Sequence, residues 1–377
     1  MHLIEYVVGF CVALAVCAGI LPGVIRLAHY LGVVDAPGGR RSHLGQIPRL
    51  GGIAVYLGFV GGVGTALLMV GQAPSLSDPS TEFPWAGAGI GATIAFGAGL
   101  IDDFRQLRPR TKFLLQLIAA AVAIGFGVRI DAVALPIGGV LSLGMLSPLV
   151  TLAWILVVTN AMNLIDGLDG LAGGLALIVT VTMAFVSLAM GQFGVVACSV
   201  GLAGALIGFL WYNFNPARIF MGDGGSQFLG FVLAILSIRG SSKSATVVAL
   251  ALPILVLGVP LLDLSTTVAR RAFGGDRRSS DSVTALLNRI SKADSDHLHH
   301  NLLKRGLTAR RAVLSLYLIA SVFALAGYFS LAKSSLPIAA LLLLVCLSSI
   351  AVIKLLPLSV RDDAESGSSQ AKGSIEA

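Results

Sequence analysis

Long apolar stretches separated by short polar ones dominate this chain, and few of them show the one-sided periodicity of a surface helix. A bilayer-spanning helix needs about 20 apolar residues. Eleven segments are read that way: 3–25, 51–71, 86–101, 113–129, 148–163, 171–190, 194–212, 226–238, 245–265, 312–331 and 336–356. The third and eighth are short, so the count is ten or eleven. No repeat or soluble domain interrupts the series, and residues 1–357 are read as one integral-membrane domain. The Ser/Gly-rich, charged residues 358–377 are read as a disordered tail. Val133–Leu143 (VALPIGGVLSL) has two β-prone runs around Gly138-Gly139, which predicts a small hairpin. The expected fold is an all-α polytopic membrane protein.

Composition agrees with that pattern. Hydrophobic residues make up 56% of the 377 and charged residues 12%, whereas soluble proteins carry about 25% charge; mean hydropathy is +0.89. Forty-five glycines suit closely packed membrane helices. The net charge of +7 is read as membrane topology, with no nucleic-acid partner. Cys11, Cys17, Cys198 and Cys346 lie in apolar runs without metal or disulfide spacing. Leu3–Leu21 has no Lys or Arg before it and reads as a retained first helix, not a signal peptide.

Sidedness follows from the basic residues. Of the 26 Lys and Arg, all but Arg129, Arg239, Lys243 and Lys333 fall in alternate loops, beginning after the first helix, or in the tail. Positive charge collects on the cytoplasmic side, so those loops and the tail are placed there, with the N-terminus and the hairpin on the periplasmic side. The same parity governs six acids at the ends of apolar segments: Asp102, Asp103, Asp166, Asp169, Asp223 and Asp263. Ionised carboxylates at a membrane boundary are costly without a cation, so these are functional candidates. All fall on the cytoplasmic side, as do His297, His299 and His300 of DSDHLHHNLLKRG.

Several carboxylates and a carboxamide make a hard-oxygen environment suited to Mg²⁺, with Mn²⁺ as a substitute, and phosphates completing the shell. Arg105, Arg108, Arg110 and Lys112 supply the charge that phosphate oxygens require. The combination points to phosphoryl transfer between a soluble donor and a lipid acceptor, with alignment and charge neutralisation as the main contributions. Imidazoles in HLHH suit donation to phosphate or proton transfer.

Six stretches, in order, carry a resemblance: IPRLGGIAV (Ile47–Val55), GLIDDFRQLRPRTKFLLQ (Gly99–Gln116), TNAMNLIDGLDGLAGG (Thr159–Gly174), NPARIFMGDGGSQFLG (Asn215–Gly230), VPLLDLSTTVARR (Val259–Arg271) and HLHHNLLKRGLT (His297–Thr308). The chain resembles the polyprenyl-phosphate N-acetylhexosamine-1-phosphate transferases, a superfamily that includes the phospho-N-acetylmuramoyl-pentapeptide transferases. The resemblance implies Asp223 and Asn163 as metal ligands, and Asp102, Asp103, Asp166 and His297 as catalytic. It also implies Lys112, Asn163, Asp169, His299, His300 and Arg105 as substrate-binding. The implied partners are a UDP-N-acetylhexosamine, first UDP-GlcNAc, undecaprenyl or a similar polyprenyl phosphate, and membrane lipid; a homodimer stays open. The implied site faces the cytoplasm at the bacterial inner membrane. Its product, a lipid-linked diphosphate sugar formed with release of UMP, would start a cell-surface polysaccharide such as O-antigen or a wall polymer.

HLHH with LLKRGLT is similar to the N-acetylhexosamine branch, and the PxHHHxE pattern of the muramoyl-peptide branch is missing. The long segment between Arg271 and His297 departs from the family's shorter arm and leaves the donor sugar open. Among rivals, a CDP-alcohol phosphotransferase needs DGxxAR, and Asp166-Gly167 is followed instead by Leu168-Asp169-Gly170. A cation-coupled transporter would place its acids near the bilayer midplane.

Overall fold

In hydrocarbon, an apolar run can satisfy its backbone hydrogen bonds only within itself, so each long stretch coils into a helix. The computed structural model describes residues 3–35, 46–70, 83–134, 140–241, 302–303 and 306–333. The long helices among them are α1 (Leu3–Tyr30), α2 (Gly51–Val70), α3 (Trp85–Arg105), α4 (Pro109–Gly125), α5 (Ser147–Ile165), α6 (Leu171–Ala189), α7 (Phe193–Asn213), α8 (Gly222–Ser241) and α9 (Ala309–Lys333). They correspond to nine predicted segments. Segments 245–265 and 336–356, the tail, Asp263 and the three histidines lie outside the described residues. Among the described residues, six helices (α1, α2, α3, α5, α6 and α7) are long and apolar enough to cross a membrane. The protein is a mostly helical, multi-pass membrane protein.

Helix boundaries differ from the predicted ones where it matters. α3 continues to Arg105, α4 begins at Pro109, α5 continues to Ile165 and α8 begins at Gly222. Apolarity marks the part of a helix suited to lipid, whereas its hydrogen bonding runs on into the polar turn beyond. Pro109 fits the start of α4, where a missing N–H loses nothing. In consequence Asp102, Asp103, Lys112, Asn163 and Asp223 all sit in the terminal turns of α3, α4, α5 and α8.

Two short sheets accompany the helices. β1 (Val34–Asp35) pairs antiparallel with β2 (Ile47–Pro48). β3 (Ala132–Ala134) pairs antiparallel with β4 (Val140–Ser142), in the predicted hairpin; residues 135–139 lie outside the described residues.

Small residues draw the helices together. A β-carbon added at Gly62 of α2 would lie 2.5 Å from the Ala13 β-carbon of α1, and one at Gly204 of α7 would strike the Phe10 carbonyl. α8 is the most enclosed: every residue from Gly222 to Gly240 is buried except Asp223 and Arg239, whereas much of α1 is exposed. Between α2, α3 and α8, Tyr56 stacks on Phe96 at 4.3 Å and Phe228 meets Tyr56 edge-on at 5.3 Å. α3 approaches α8 so closely that a β-carbon at Gly99 would run into the Asp223 backbone.

Candidate active site

Four helix ends converge at one end of the bundle: the C-terminal turns of α3 and α5 and the N-terminal turns of α4 and α8. The close approach at Gly99 lets Asp103 of α3 reach the start of α8. Its Oδ1 accepts from the Asp223 N–H at 2.8 Å and its Oδ2 from the Gly224 N–H at 2.9 Å. An anion at a helix N-terminus satisfies free donors and meets the positive end of the helix dipole. Asp103 therefore fixes the backbone that carries Asp223. Gly222 makes the turn into α8 at φ +74°, and a side chain there would collide with the Arg49 carbonyl and the Asp103 carboxylate.

Asp102 points the other way. Its Oδ1 accepts from the Leu107 N–H at 2.6 Å, closing the chain reversal after α3, where Gln106 takes a left-handed conformation. Its Oδ2 forms an ion pair with Lys112 Nζ at 2.9 Å. The Lys112 ammonium also donates to Asp223 Oδ1 at 2.8 Å and to Asn163 Oδ1 at 3.3 Å. Asn163 in turn donates to Asp223 Oδ1 at 2.6 Å and to Ser226 Oγ at 2.8 Å. The structure thus brings Asp102, Asp103, Lys112, Asn163 and Asp223 into one ring.

Arg49 completes it and was missed in the sequence. Backbone bonds join the segment after β2 to the one before α8: Phe220 N–H to Pro48 at 2.7 Å, Gly51 N–H to Phe220 at 3.0 Å and Gly52 N–H to Met221 at 2.8 Å. IPRLGG and FMGDGG are therefore partners, and Arg49 comes within 3.6 Å of Asp103 and 3.7 Å of Asp223. The signal available was a lone arginine inside IPRLGG, beside the glycines that permit this pairing.

Asp166 ends α5 and has no hydrogen-bond or ion-pair partner among the described residues. Desolvation pushes its carboxyl up to about 7, the negative charges of Asp223 and Asp103 add to the rise, and Arg49 opposes it. Asp169 is turned from the ring toward the next loop. Its Oδ2 accepts from Asn215 Nδ2 at 2.9 Å and from the Ala217 N–H at 3.0 Å. Asn213 ties the same loops, accepting from the Gly170 N–H at 2.9 Å and donating to the Ile219 carbonyl at 2.8 Å. Tyr317 of α9 donates to the Gly170 carbonyl. Arg105 is exposed in the last turn of α3 and forms no ion pair among the described residues. His297, His299 and His300 fall outside those residues.

Among the described residues, the ring and Asp166 set four carboxylates against two cations, Arg49 and Lys112. Full ionisation would leave two negative charges uncompensated, which suits a divalent cation. The donors are oxygens, and the Asp223 side chain is 22% exposed. No three His, Cys, Asp or Glu side chains form a ready-made metal cage among the described residues. That fits a hard cation held by one or two carboxylates and completed by substrate phosphates.

Comparison with known proteins points the same way. Residues 85–241, which run from α3 through α8, match glycosyl transferase family 4. The chain is 37% identical over 329 residues to the probable undecaprenyl-phosphate N-acetylglucosaminyl 1-phosphate transferase of Bacillus subtilis, across 86% of this chain and 85% of that protein. It is 37% identical over 328 residues to the decaprenyl-phosphate N-acetylglucosaminephosphotransferase of Mycobacterium tuberculosis, across 80% and 77% of the two chains. Similarity to the phospho-N-acetylmuramoyl-pentapeptide-transferase of Moorella thermoacetica is 35% over 246 residues, across 62% of this chain and 72% of that one.

Proposed function

Because the chain belongs to the polyprenyl-phosphate N-acetylhexosamine-1-phosphate transferases of glycosyl transferase family 4, we propose that it transfers GlcNAc 1-phosphate from UDP-GlcNAc to undecaprenyl phosphate. An oxygen of the lipid phosphate bonds to the sugar-bearing phosphorus of the donor, and the bond from that phosphorus to the bridging oxygen breaks. UMP leaves, and a lipid-linked diphosphate sugar remains to start a cell-surface polysaccharide. The observation that carries this reading is the convergence of Asp102, Asn163 and Asp223, from three helices, onto the ammonium of Lys112 on a fourth.

In this proposal the ring binds and aligns phosphates. Lys112 and Arg49 offer charged donors to phosphate oxygens, and the carboxylates that now hold them keep both near the reacting phosphorus. Asp223 and Asn163 would hold Mg²⁺, which when bound supplies charge neutralisation at the diphosphate oxygens. Asp103 holds Asp223 in place through its backbone, and Asp102 holds Lys112. The lipid phosphate is already ionised near neutral pH, so no strong base is required to expose its attacking oxygen. Asp166 lies beside the ring as a carboxyl that can carry or release a proton near neutrality. The bias of basic residues supports placing this end of the bundle on the cytoplasmic side, where a UDP-sugar is available.

The test is direct. Purified protein given undecaprenyl phosphate, Mg²⁺ and UDP-GlcNAc should release UMP and form a lipid-linked product, and EDTA should stop both. UDP-GalNAc and a 6-deoxy UDP-N-acetylhexosamine, run beside it, should turn over more slowly. Absence of lipid-dependent UMP release with every donor would overturn the transferase reading; faster turnover of another donor would overturn the sugar assignment alone.

A further inference from the structure

One helical turn behind the ring lies a second set of polar side chains that the transferase chemistry does not use. Gln116 follows Lys112 by one turn on α4, Asn160 precedes Asn163 by one turn on α5, and Gln227 follows Asp223 by one turn on α8. Residues three or four apart share a helix face, so α4, α5 and α8, three of the four helices whose ends form the ring, contribute again at this depth. Asn160 Nδ2 donates to Gln116 Oε1 at 3.0 Å, and Gln116 Nε2 donates to Gln227 Oε1 at 3.2 Å. Gln116 and Gln227 are 3% and 0% exposed.

We propose that Gln116, Asn160 and Gln227 are positioning residues, which set the rotation of α4, α5 and α8 so that Lys112 faces both Asn163 and Asp223. The inference rests on the transferase reading for its catalytic consequence. Its physical basis is the poor definition that apolar packing gives α4. Apart from Gln116, the buried face of α4 consists of Ala119, Ala120 and Ala123. α8 approaches α5 over a glycine: a β-carbon at Gly230 would lie 2.6 Å from the Thr159 Cα. Small, smooth surfaces allow close approach at several rotations. The buried pair Gln116 and Gln227, bonded in turn to the half-buried Asn160, does not, because turning α4 or α8 by one residue would strand amide groups away from water and from partners. Among the described residues Gln227 Nε2 and Thr159 Oγ1 already lack hydrogen-bond partners at this depth, so a displaced amide would add to polar groups that are already buried unpaired.

The experiment compares two pairs of substitutions in the full-length protein. Gln116→Leu with Gln227→Leu replaces both members of the bonded pair by apolar groups of similar size, which can leave stability unchanged. Trp154→Phe with Ser237→Ala removes a 2.8 Å bond between α5 and α8, about 14 Å and 21 Å along those helices from Asn163 and Asp223. The first pair should lower kcat for UMP release at least tenfold while its unfolding midpoint in detergent stays near that of wild type. The second should leave kcat within twofold. Acetylation of Lys112, followed by mass spectrometry, gives a readout independent of substrate: it should rise severalfold in the first pair only, since the ammonium is then less well held. Unchanged kcat and unchanged labelling in the first pair, or equal losses in both pairs, would overturn the inference. If the first pair does not fold, Asn160→Ala should by itself raise Lys112 labelling, and unchanged labelling there has the same consequence. Failure of wild type to release UMP would sink the transferase reading and leave the labelling comparison intact.

Discussion

The bundle uses glycine in two places for opposite ends. Among α1, α2 and α7, Gly62, Gly204 and Gly208 bring backbones together and the contact ends there: methyl groups and carbonyls meet, with no charged side chain between them. Between α3 and α8, Gly99 permits a similarly close approach, and that approach brings Asp103 within hydrogen-bonding distance of the first N–H groups of α8. Close packing in the first region is the result; in the second it is the means by which charge is placed. A glycine count cannot separate the two, because the difference lies in which side chain stands next to the point of contact.

The sharpest break in this comparison is at Asp223. Asp223→Asn keeps its size and the contact at Gly99 but removes the charge that Lys112 and Arg49 share and that the proposed Mg²⁺ would need. Mg²⁺-dependent UMP release should fall by about 100- to 1,000-fold or more, while membrane insertion and the unfolding midpoint persist. Full activity would refute the metal assignment. Lys112→Met comes next. Loss of a charged donor corresponds to ~1.5–3 kcal/mol, so the donor KM should rise about ten- to a hundredfold with a smaller change for the lipid acceptor, as initial-rate measurements over both substrates would show.

The packing region should respond in the reverse manner. Gly62→Val forces a side chain into Ala13, and overpacking of that kind costs about 1–3 kcal/mol. Its unfolding midpoint should drop, with turnover per folded molecule nearly intact; a selective loss of kcat would show that the two regions are coupled. The smallest effect concerns Asp166. Its folded-state carboxyl titrates at about 7 against an ordinary 3.8, so between those values the folded protein holds a proton that the unfolded chain has released. Stability in EDTA should therefore decline as pH rises from about 4 to 7 and level off above. Asp166→Asn should reduce that slope in thermal unfolding across the range, and an unchanged slope would place the titration elsewhere.

Much of the site was legible in the sequence because membrane helices make stray charge conspicuous. Asp102, Asp103, Asp166 and Asp223 stand out against apolar runs, and Lys112 and Asn163 lie in the motifs beside them. Arg49 did not stand out, since its role depends on backbone pairing between segments some 170 residues apart in the chain. Asp169 was legible as polar but not as a loop tie, because its partners Asn215 and Ala217 are supplied by another loop. Gln116, Asn160 and Gln227 were hidden for a similar reason: a single amide in a helix says nothing until its partners arrive.

Taken alone, the sequence determined the helical membrane architecture, the helix ends that carry acid and base, and the family, since apolarity, charge bias and motifs are properties of contiguous residues. Tertiary structure decided which of those residues meet. Lys112 and Asp223 are separated by 111 positions and make contact only because α3, α4, α5 and α8 approach at small residues with particular rotations. Contact at that range depends on packing and on buried hydrogen bonds, and neither is encoded in any one stretch of chain.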